Sequence, residues 1–364
     1  SVTLRMGSKK NAPLYPDSEL RLFPPSLSPA LSPPPLHGAE VWQEELRAAF
    51  TRPAELLAFL GLDPNLADPT AARAFAFLVP RGFARLMRPG DPADPLLRQV
   101  LPLREEGWIP PGYTQDPVGD AQARDAPGLL RKYQGRALLV VTGACALHCR
   151  YCFRRHFPYA EEALIHDREQ QALDALARDP DLTEVILSGG DPLMLDDARL
   201  EELLKRLSAL GQVRRLRLHT RLPVVLPSRI GPRLCTLFAT SPLPLVIVIH
   251  ANHPRELSPE VVAALAALRQ TGATLLNQSV LLRGVNADPD CLAALSEALF
   301  ATGVLPYYLH QLDPVAGAAH FAVPPAEAGE ILLRLRATLP GYLVPKLVQE
   351  VPGAPSKLPL FERL

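Results

Sequence analysis

From residue 136 onward, six short runs rich in β-branched and other apolar residues alternate with longer amphipathic stretches, and this alternation restricts the fold more than any other feature of the chain. The runs that predict strands are 136–143, 184–190, 214–220, 244–251, 274–282 and 305–313. Apolar residues three and four positions apart predict helices between them, as in LEELLKRLSAL and PEVVAALAALRQ. Strands that alternate with helices form a buried parallel sheet with right-handed crossovers. The sequence therefore predicts an α/β fold whose sheet curls into a barrel or partial barrel.

Periodicity and composition divide the chain into four parts. Residues 1–38 combine Pro and Ser without apolar periodicity, which predicts a disordered Pro-rich tail. Residues 39–135 carry apolar positions at helical spacing and predict an N-terminal helical cap. The six βα units occupy 136–340, and 341–364 form a C-terminal segment.

Charge and composition exclude several classes of protein. Lys and Arg together number 38, as do Asp and Glu, so bulk charge favours neither nucleic acid nor a membrane surface as a partner. No run approaches the roughly 20 apolar residues of a membrane span, and the N-terminus lacks the layout of a signal peptide. The sequence predicts a cytoplasmic protein that binds neither nucleic acid nor membranes.

Polar and reactive side chains stand at the carboxyl end of nearly every predicted strand. The six groups are Gly143–Cys145, Ser188–Asp191, His219–Arg221, His250, Asn277–Ser279 and His310–Asp313. In barrels of alternating strands and helices this end of the sheet carries the active site. The sequence predicts a catalytic centre there.

Three of the five cysteines, Cys145, Cys149 and Cys152, lie on one loop after the first predicted strand. An odd cysteine count without framework spacing favours a reducing compartment and a metal over disulfides. A structural zinc site needs four ligands, for which His148 or His156 is the only neighbouring candidate. The spacing favours a four-iron four-sulfur cluster held by three thiolates, with one iron left open to bind a small molecule.

The other two cysteines, Cys235 and Cys291, lie in helix-like apolar patterns. Free cysteine behaves as a small apolar residue in such a setting, so both are predicted to be core residues.

Several motifs together resemble one enzyme family. The three-cysteine loop is similar to that of the radical S-adenosylmethionine (SAM) enzymes, and SGGDP at 188–192 is similar to their glycine motif. From about residue 40 to the end, the chain resembles the lysine 2,3-aminomutase family, within which it is most similar to the bacterial branch that serves the (R)-β-lysylation of elongation factor P. The motifs that carry this resemblance are CRYCFRRHFPY, LSGGDPL, RLPVV, NQSVLLRGVN, PYYLHQLD and GYLVPK.

The resemblance implies a partial (βα)6 TIM-like barrel with an N-terminal helical cap. It also implies an isomerase that uses a 4Fe-4S cluster, SAM and pyridoxal 5′-phosphate (PLP) to convert L-lysine to β-lysine. The implied partners are L-lysine, a reductant such as flavodoxin or ferredoxin, and, through the pathway, elongation factor P and its ligase.

The resemblance assigns roles to individual residues. Lys357, in the C-terminal segment, is the implied Schiff-base lysine of PLP, with Lys346 as its rival. The implied substrate ligands are Arg154 for the carboxylate and Asp313 and Glu350 for the distal ammonium, with Glu350 a departure from the Asp of catabolic family members. The implied contacts to PLP, besides Lys357, are Tyr133, Arg136 and Arg221. The implied contacts to SAM are Ser188, Gly189, Gly190, Asp191, His250 and Gln278.

Glycine allows the methionyl part of SAM to approach the backbone, which is the expected reason for Gly189 and Gly190. Two other functions stay open at the level of sequence. One is a 2,3-aminomutase for another amino acid, such as glutamate. The other is a binding protein stabilised by a cluster or by zinc, without turnover.

Overall fold

The computed structural model describes residues 39–164 and 166–361. The Pro-rich tail predicted for 1–38 lies outside this range. Within it, none of the helices is long and apolar enough to cross a membrane. The α-helices are α1 (Ala39–Arg47), α2 (Pro53–Phe59), α3 (Pro69–Ala74), α4 (Arg81–Ala84), α5 (Pro95–Arg98), α6 (Tyr159–Glu162), α7 (His166–Ala177), α8 (Asp197–Ser208), α9 (Leu222–Val225), α10 (Pro232–Ala239), α11 (Pro259–Gln270), α12 (Pro289–Ala301) and α13 (Pro325–Thr338). Short 3-10 helices occupy Pro64–Leu66, Arg104–Gly107, Pro192–Met194, Pro227–Arg229, Pro254–Glu256, Ala319–Phe321 and Gly341–Leu343.

In residues 39–164 and 166–361, ten strands form one sheet in the order of the chain. They are β1 (Arg124–Ala126), β2 (Leu129–Leu130), β3 (Arg136–Thr142), β4 (Glu184–Gly189), β5 (Arg215–Thr220), β6 (Leu245–Ile249), β7 (Thr274–Val280), β8 (Leu305–His310), β9 (Lys346–Gln349) and β10 (Leu358–Pro359). Strands β3 to β8 run parallel with helices between them, so the predicted α/β class and its six βα units are confirmed. The carboxyl ends of these six strands meet at one edge of the sheet, which we call the barrel mouth.

The sheet extends beyond the six predicted strands at both sides. The β1–β2 hairpin pairs antiparallel with β3, and β9 pairs parallel with β8. Strand β10 then turns back antiparallel on β9, and this pairing fixes the segment that carries Lys357. Among the described residues no pairing joins β1 to β10, so the barrel is partial, as predicted.

The two faces of each strand serve different purposes. In β5, Leu216 and Leu218 are fully buried in the core against the helices, whereas Arg217 and His219 alternate with them and are only half-buried. Because successive side chains of a strand point to opposite faces, Arg217 and His219 point to the concave side of the sheet. Polar residues at alternate strand positions are thereby delivered to the barrel interior.

Helix starts follow local sequence signals. Asp196, Ser258 and Asp288 precede α8, α11 and α12, and their side chains accept hydrogen bonds from backbone N–H groups of the first turn. Proline occupies the first positions of α11 and α12, where a backbone N–H has no helical partner.

The two isolated cysteines differ in burial. Cys291 is buried in α12, and the half-buried Cys235 of α10 packs against the main core cluster. Neither lies in the three-cysteine loop, which is consistent with the apolar roles predicted for them.

Candidate active site

The three-cysteine loop leaves β3 at Thr142 and is anchored by a fully buried arginine. Arg150, between Cys149 and Cys152, donates to both carboxylate oxygens of Glu106 at 2.8 and 2.6 Å and to the carbonyls of Phe75 and Ala71, each at 2.9 Å. A buried guanidinium is tolerated only with such complete pairing. The helical cap therefore holds the loop in place.

The three thiols lie close enough to influence one another. Burial raises the pKa of the Cys145 thiol, and the neighbouring Cys152 and Cys149 raise it further. Burial and the neighbouring Cys149 likewise raise the pKa of Cys152 to about 11. Three thiols grouped in this way, held by one loop, fit the donor set of a 4Fe-4S cluster with one open iron.

Neither neighbouring histidine completes a zinc site. His156 donates through Nε2 to the carbonyl of Ala316 at 3.1 Å, and the ring of His148 lies against Phe75 with centroids 5.6 Å apart. In the part of the chain that the structure describes, no three His, Cys, Asp or Glu side chains converge tightly enough to hold a single metal ion. In this structure the two histidines therefore contact groups outside the cysteine set.

The glycine motif after β4 lies directly on the start of the cysteine loop. A Cβ on Gly190 would stand 2.3 Å from the carbonyl oxygen of Ala144, and one on Gly189 would stand 2.5 Å from that of Thr142. Gly189 also has φ +114°, which disfavours any other residue. From the sequence, these two glycines were explained by the approach of SAM. The close packing of the two loops is a second reason, and it requires glycine at both positions by itself.

Asp191 of the same motif has a structural position. Its Oδ1 accepts from the Thr220 hydroxyl at 2.7 Å and from Leu193 N at 3.0 Å, and its Oδ2 accepts from the backbone N–H groups of Arg221 and Leu222 at 2.6 and 3.2 Å. The residue is 4% exposed. These bonds hold the end of β4 against the end of β5, and the contact of Asp191 to SAM stays a prediction.

A continuous chain of charged groups crosses the barrel mouth. Arg154 donates through NH1 to the Ser188 hydroxyl at 3.2 Å and through Nε to Asp120 at 2.7 Å. Lys132 bridges Asp120 at 2.6 Å and Glu350 at 2.7 Å. Glu350 in turn pairs with Lys357. These contacts bring together Arg154, Glu350 and Lys357, three residues that the resemblance assigns to one site.

The acidic groups in this series of ion pairs differ in how fully neighbouring cations balance their charge. Burial by itself would raise the pKa of Asp120, but Arg154 and Lys132 outweigh it and lower the pKa to about 2. Burial opposes ionisation of Glu350 in the same way, and Lys357 and Lys132 again prevail and lower its pKa. Both carboxylates are therefore ionised at neutral pH.

Among the described residues, Asp313 lies beside these ion pairs without a salt bridge of its own. Burial and repulsion by Glu350 raise its pKa to about 7, and its buried Oδ1 has no hydrogen-bond partner in the described structure. A buried acceptor without a partner is uncommon in folded proteins and often marks a ligand position. Lys357 and Lys132 act on Asp313 only through their charge, so its Oδ1 is left for a ligand such as an ammonium group.

The two candidate lysines have different surroundings. Lys357 reaches Glu350, and its charge acts on three strand-end histidines, whose pKa values are lowered mainly by burial. Lys346 is exposed at the start of β9, opposite Tyr308. The surroundings favour Lys357 over Lys346 as the PLP lysine.

Those three histidines, His219, His250 and His310, are neutral at pH 7 because burial lowers the pKa of each, that of His250 to about 3. His250 contacts the amide of Gln278, which was predicted with it to contact SAM. The buried Nε2 of His219 has no hydrogen-bond partner among the described residues. Neutral imidazoles without full pairing suit a site that receives an organic cofactor.

Of the three predicted side-chain contacts to PLP other than Lys357, two lie together. Arg136 stands over the ring of Tyr133 at 4.8 Å, and the charges of Glu350 and Asp313 act on the Tyr133 phenol, whose pKa is raised first by burial. Arg221 is elsewhere: its NH1 donates to Cys149 Sγ at 2.7 Å. In the described structure the guanidinium of Arg221 therefore contacts the cysteine loop, and its contact to PLP stays a prediction.

Sequence reasoning missed Asp120, Lys132, Glu106 and Arg150. Lys132 directly precedes Tyr133, so proximity to a predicted ligand was a usable signal. Asp120 lies in a turn and Glu106 in the short 3-10 helix Arg104–Gly107, both before the barrel, and nothing local distinguishes a buried acid there from a solvated one.

Comparison with known proteins gives a consistent result. The model of the radical SAM superfamily matches residues 139–290. The chain is 51% identical over 324 residues to the L-lysine 2,3-aminomutase of Escherichia coli strain K12, covering 88% of this chain and 94% of that protein. It is 44% identical over 326 residues to the protein of that name from Haemophilus influenzae, covering 89% and 96%. It is 33% identical over 326 residues to that from Clostridium subterminale, covering 88% and 77%.

Proposed function

This chain belongs to the L-lysine 2,3-aminomutase family of radical SAM enzymes, and from that premise we propose that it converts L-lysine to β-lysine for the modification of elongation factor P. It is an isomerase of the intramolecular aminomutase type. Family membership removes the alternative of a binding protein without turnover.

The cofactors implied by the family are a 4Fe-4S cluster, SAM and PLP. Bound together they supply what side chains cannot: removal of hydrogen from an unactivated carbon, and an electron sink for the migrating amino group. We propose that Cys145, Cys149 and Cys152 hold the cluster. We propose that Lys357 holds PLP covalently, with Arg136 and Tyr133 near its phosphate.

The choice of substrate rests on the distribution of charge across the barrel mouth. Arg154 is 6% exposed, yet its NH2 nitrogen has no partner among the described residues, so it can donate to a carboxylate. At the other end of the ion-pair chain, Glu350 and Asp313 stand together. A substrate that carries a carboxylate at one end and an ammonium at the other matches this order of charges.

The acid pair argues against glutamate as the substrate. The side-chain carboxylate of glutamate would meet Glu350, which Lys132 and Lys357 keep ionised, and Asp313, whose pKa is already raised by burial and by Glu350. An ammonium group would relieve the repulsion between the two acids and would favour ionisation of Asp313. This charge arrangement is the single observation that carries the lysine proposal.

The link to elongation factor P rests on the sequence motifs alone. Under this proposal, β-lysine leaves the enzyme and a separate ligase attaches it to the translation factor. A reductant of the flavodoxin or ferredoxin class would supply the electron that the cluster needs.

The deciding experiment is anaerobic turnover with SAM, a chemical reductant and PLP, offering lysine and glutamate separately and analysing products on a chiral column. We expect β-lysine, and at most trace turnover of glutamate. Faster turnover of glutamate would refute the lysine proposal. For the pathway, cells lacking the gene should contain elongation factor P without the β-lysyl group, and added β-lysine should restore it.

A further inference from the structure

We propose that Arg221 is a positioning residue for the cluster: it places a buried positive charge on the Cys149 thiolate and so raises the reduction potential of the cluster. The inference rests on the proposed function only in taking Cys149 as a cluster ligand. It assigns Arg221, Glu256 and Gln99 a role in setting the driving force for one-electron reduction.

The guanidinium of Arg221 joins the cysteine loop to an acid on another loop. NH1 donates to Cys149 Sγ at 2.7 Å, and NH2 donates to Gln99 Oε1 at 2.7 Å and to Glu256 Oε2 at 3.0 Å. Arg221 is 8% exposed and Glu256 is 0% exposed. The backbone N–H of Arg221 is held by Asp191 at 2.6 Å. Both ends of the residue are thereby fixed.

A second layer of hydrogen bonds fixes the partners of the guanidinium. Gln99 donates through Nε2 to Glu256 Oε1 at 3.0 Å, and Asn252 donates through Nδ2 to Gln99 Oε1 at 3.0 Å and to the Tyr151 hydroxyl at 2.6 Å. Gln99, Asn252 and Tyr151 are all buried. The guanidinium therefore has little freedom to turn away from the sulfur.

The arrangement makes the three thiols unequal. In the described structure a guanidinium donates to Cys149 Sγ, and no side chain donates a hydrogen bond to the sulfur of Cys145 or Cys152. Reduction adds one negative charge to a cluster, and charges and hydrogen bonds at the ligand sulfur tune its potential. A buried cation at Cys149 stabilises the reduced form more than the oxidised form, and Glu256 offsets part of that charge.

The structure therefore predicts opposite effects for two substitutions. Arg221→Gln keeps a hydrogen-bond donor but removes the charge, and should lower the midpoint potential. Glu256→Gln removes the offsetting negative charge, and should raise it. At a fixed solution potential, we expect each substitution to change the ratio of reduced to oxidised cluster at least tenfold. For a one-electron couple this change corresponds to a shift of about 59 mV in midpoint potential.

The test is potentiometry of the anaerobically reconstituted holoenzyme, with dithionite as electron donor and the EPR signal of the reduced cluster as readout. Arg229→Gln is the matched control. Arg229 is 2% exposed, is paired with Asp197 at 2.8 Å and donates to the carbonyls of Leu193 and Leu195, so its loss removes a buried ion pair that does not include a residue of the three-cysteine loop. That variant should keep the wild-type potential.

The outcomes separate this inference from the proposed function. Wild-type potentials in both Arg221→Gln and Glu256→Gln, at full iron content, would overturn it. If Arg221→Gln does not retain the cluster, Arg221→Lys and Glu256→Gln are measured instead. The midpoint potential of Arg221→Lys should stay close to that of the wild type, because the charge is kept. A midpoint potential of Glu256→Gln equal to that of the wild type would refute the inference. A wild type that binds no iron would instead contradict the cluster assignment itself.

Discussion

Replacing Asp313 by Asn should stabilise the cofactor-free protein at pH 8 and weaken its use of lysine. Burial and the neighbouring Glu350 raise the pKa of Asp313 from 3.8 to about 7. A carboxyl whose pKa is higher in the folded than in the unfolded state adds stability that is full below the unfolded pKa, here below pH 3.8. That stability is lost as the pH rises through 7, so Asn, which never ionises, gains most at pH 8.

The magnitude follows from the size of the shift. About three pKa units at ~1.4 kcal/mol each give an upper limit of about 4 kcal/mol. Asp313 as a whole is only half-buried, and solvent screening reduces this limit. We expect a gain of roughly 1–3 kcal/mol in the free energy of unfolding at pH 8 and less than ~1 kcal/mol at pH 5.

Function should change in the opposite direction. If Asp313 receives the substrate ammonium, its neutral replacement loses a charged partner, and kcat/KM for lysine should fall by at least ~10-fold. Stability given up to keep an unpaired acid at a binding site is a common trade-off.

The assay is thermal unfolding of the cofactor-free protein at pH 5 and pH 8, together with anaerobic kinetics of the reconstituted enzyme. Asp290→Asn is the control, because this acid lies on α12 with its side chain 57% exposed and should affect neither measurement. A melting temperature of Asp313→Asn that rises equally at both pH values, or does not rise, would refute the reasoning about ionisation. Unchanged kcat/KM would refute the substrate role.

Three further predictions concern the cluster, PLP and the ion-pair chain. Replacing any one thiol ligand by Ala should reduce iron well below the roughly four per chain of a 4Fe-4S cluster, measured by metal analysis under argon; one tightly held zinc in the wild type would contradict it. Borohydride reduction should trap the pyridoxyl group on Lys357 by peptide mapping, and Lys357→Ala should abolish the label and keep the iron, whereas Lys346→Ala should keep both. Asp120 has its pKa lowered from 3.8 to about 2, so it adds stability above pH 3.8 that is lost as the pH falls through 2. Asp120→Asn should accordingly cost about 2 kcal/mol or more at pH 7 and less at pH 3, and an equal cost at both pH values would count against the pairing.

The six parallel strands were predictable because their signal is local. A buried parallel strand is an apolar run whose length and neighbours identify it, and helix starts such as Asp288 with Pro289 are marked by adjacent residues. Strand β9 was missed because its four residues, Lys346–Gln349, are too short for a pattern and become a strand only by pairing with β8.

Part of the candidate site was likewise predictable from local sequence, and part was not. The spacing of the three cysteines predicted the kind of metal centre that we propose for them, since side chains on one short loop are close in space whatever the rest of the fold does. The resemblance of the motifs added Arg154, Asp313, Glu350 and Lys357, and the fold brings Arg154, Glu350 and Lys357 into one chain of contacts.

Only the tertiary structure determines which partners the long charged side chains contact. Arg221 could have reached a phosphate or a thiolate, and only the fold places Gln99, 122 residues earlier in the chain, where it turns the guanidinium toward Cys149. Lys132 and Glu350 meet across 218 residues, and no local pattern marks either as buried. Backbone periodicity is written into neighbouring residues, whereas the partner of a flexible charged side chain is selected by the burial and hydrogen bonds that distant segments provide.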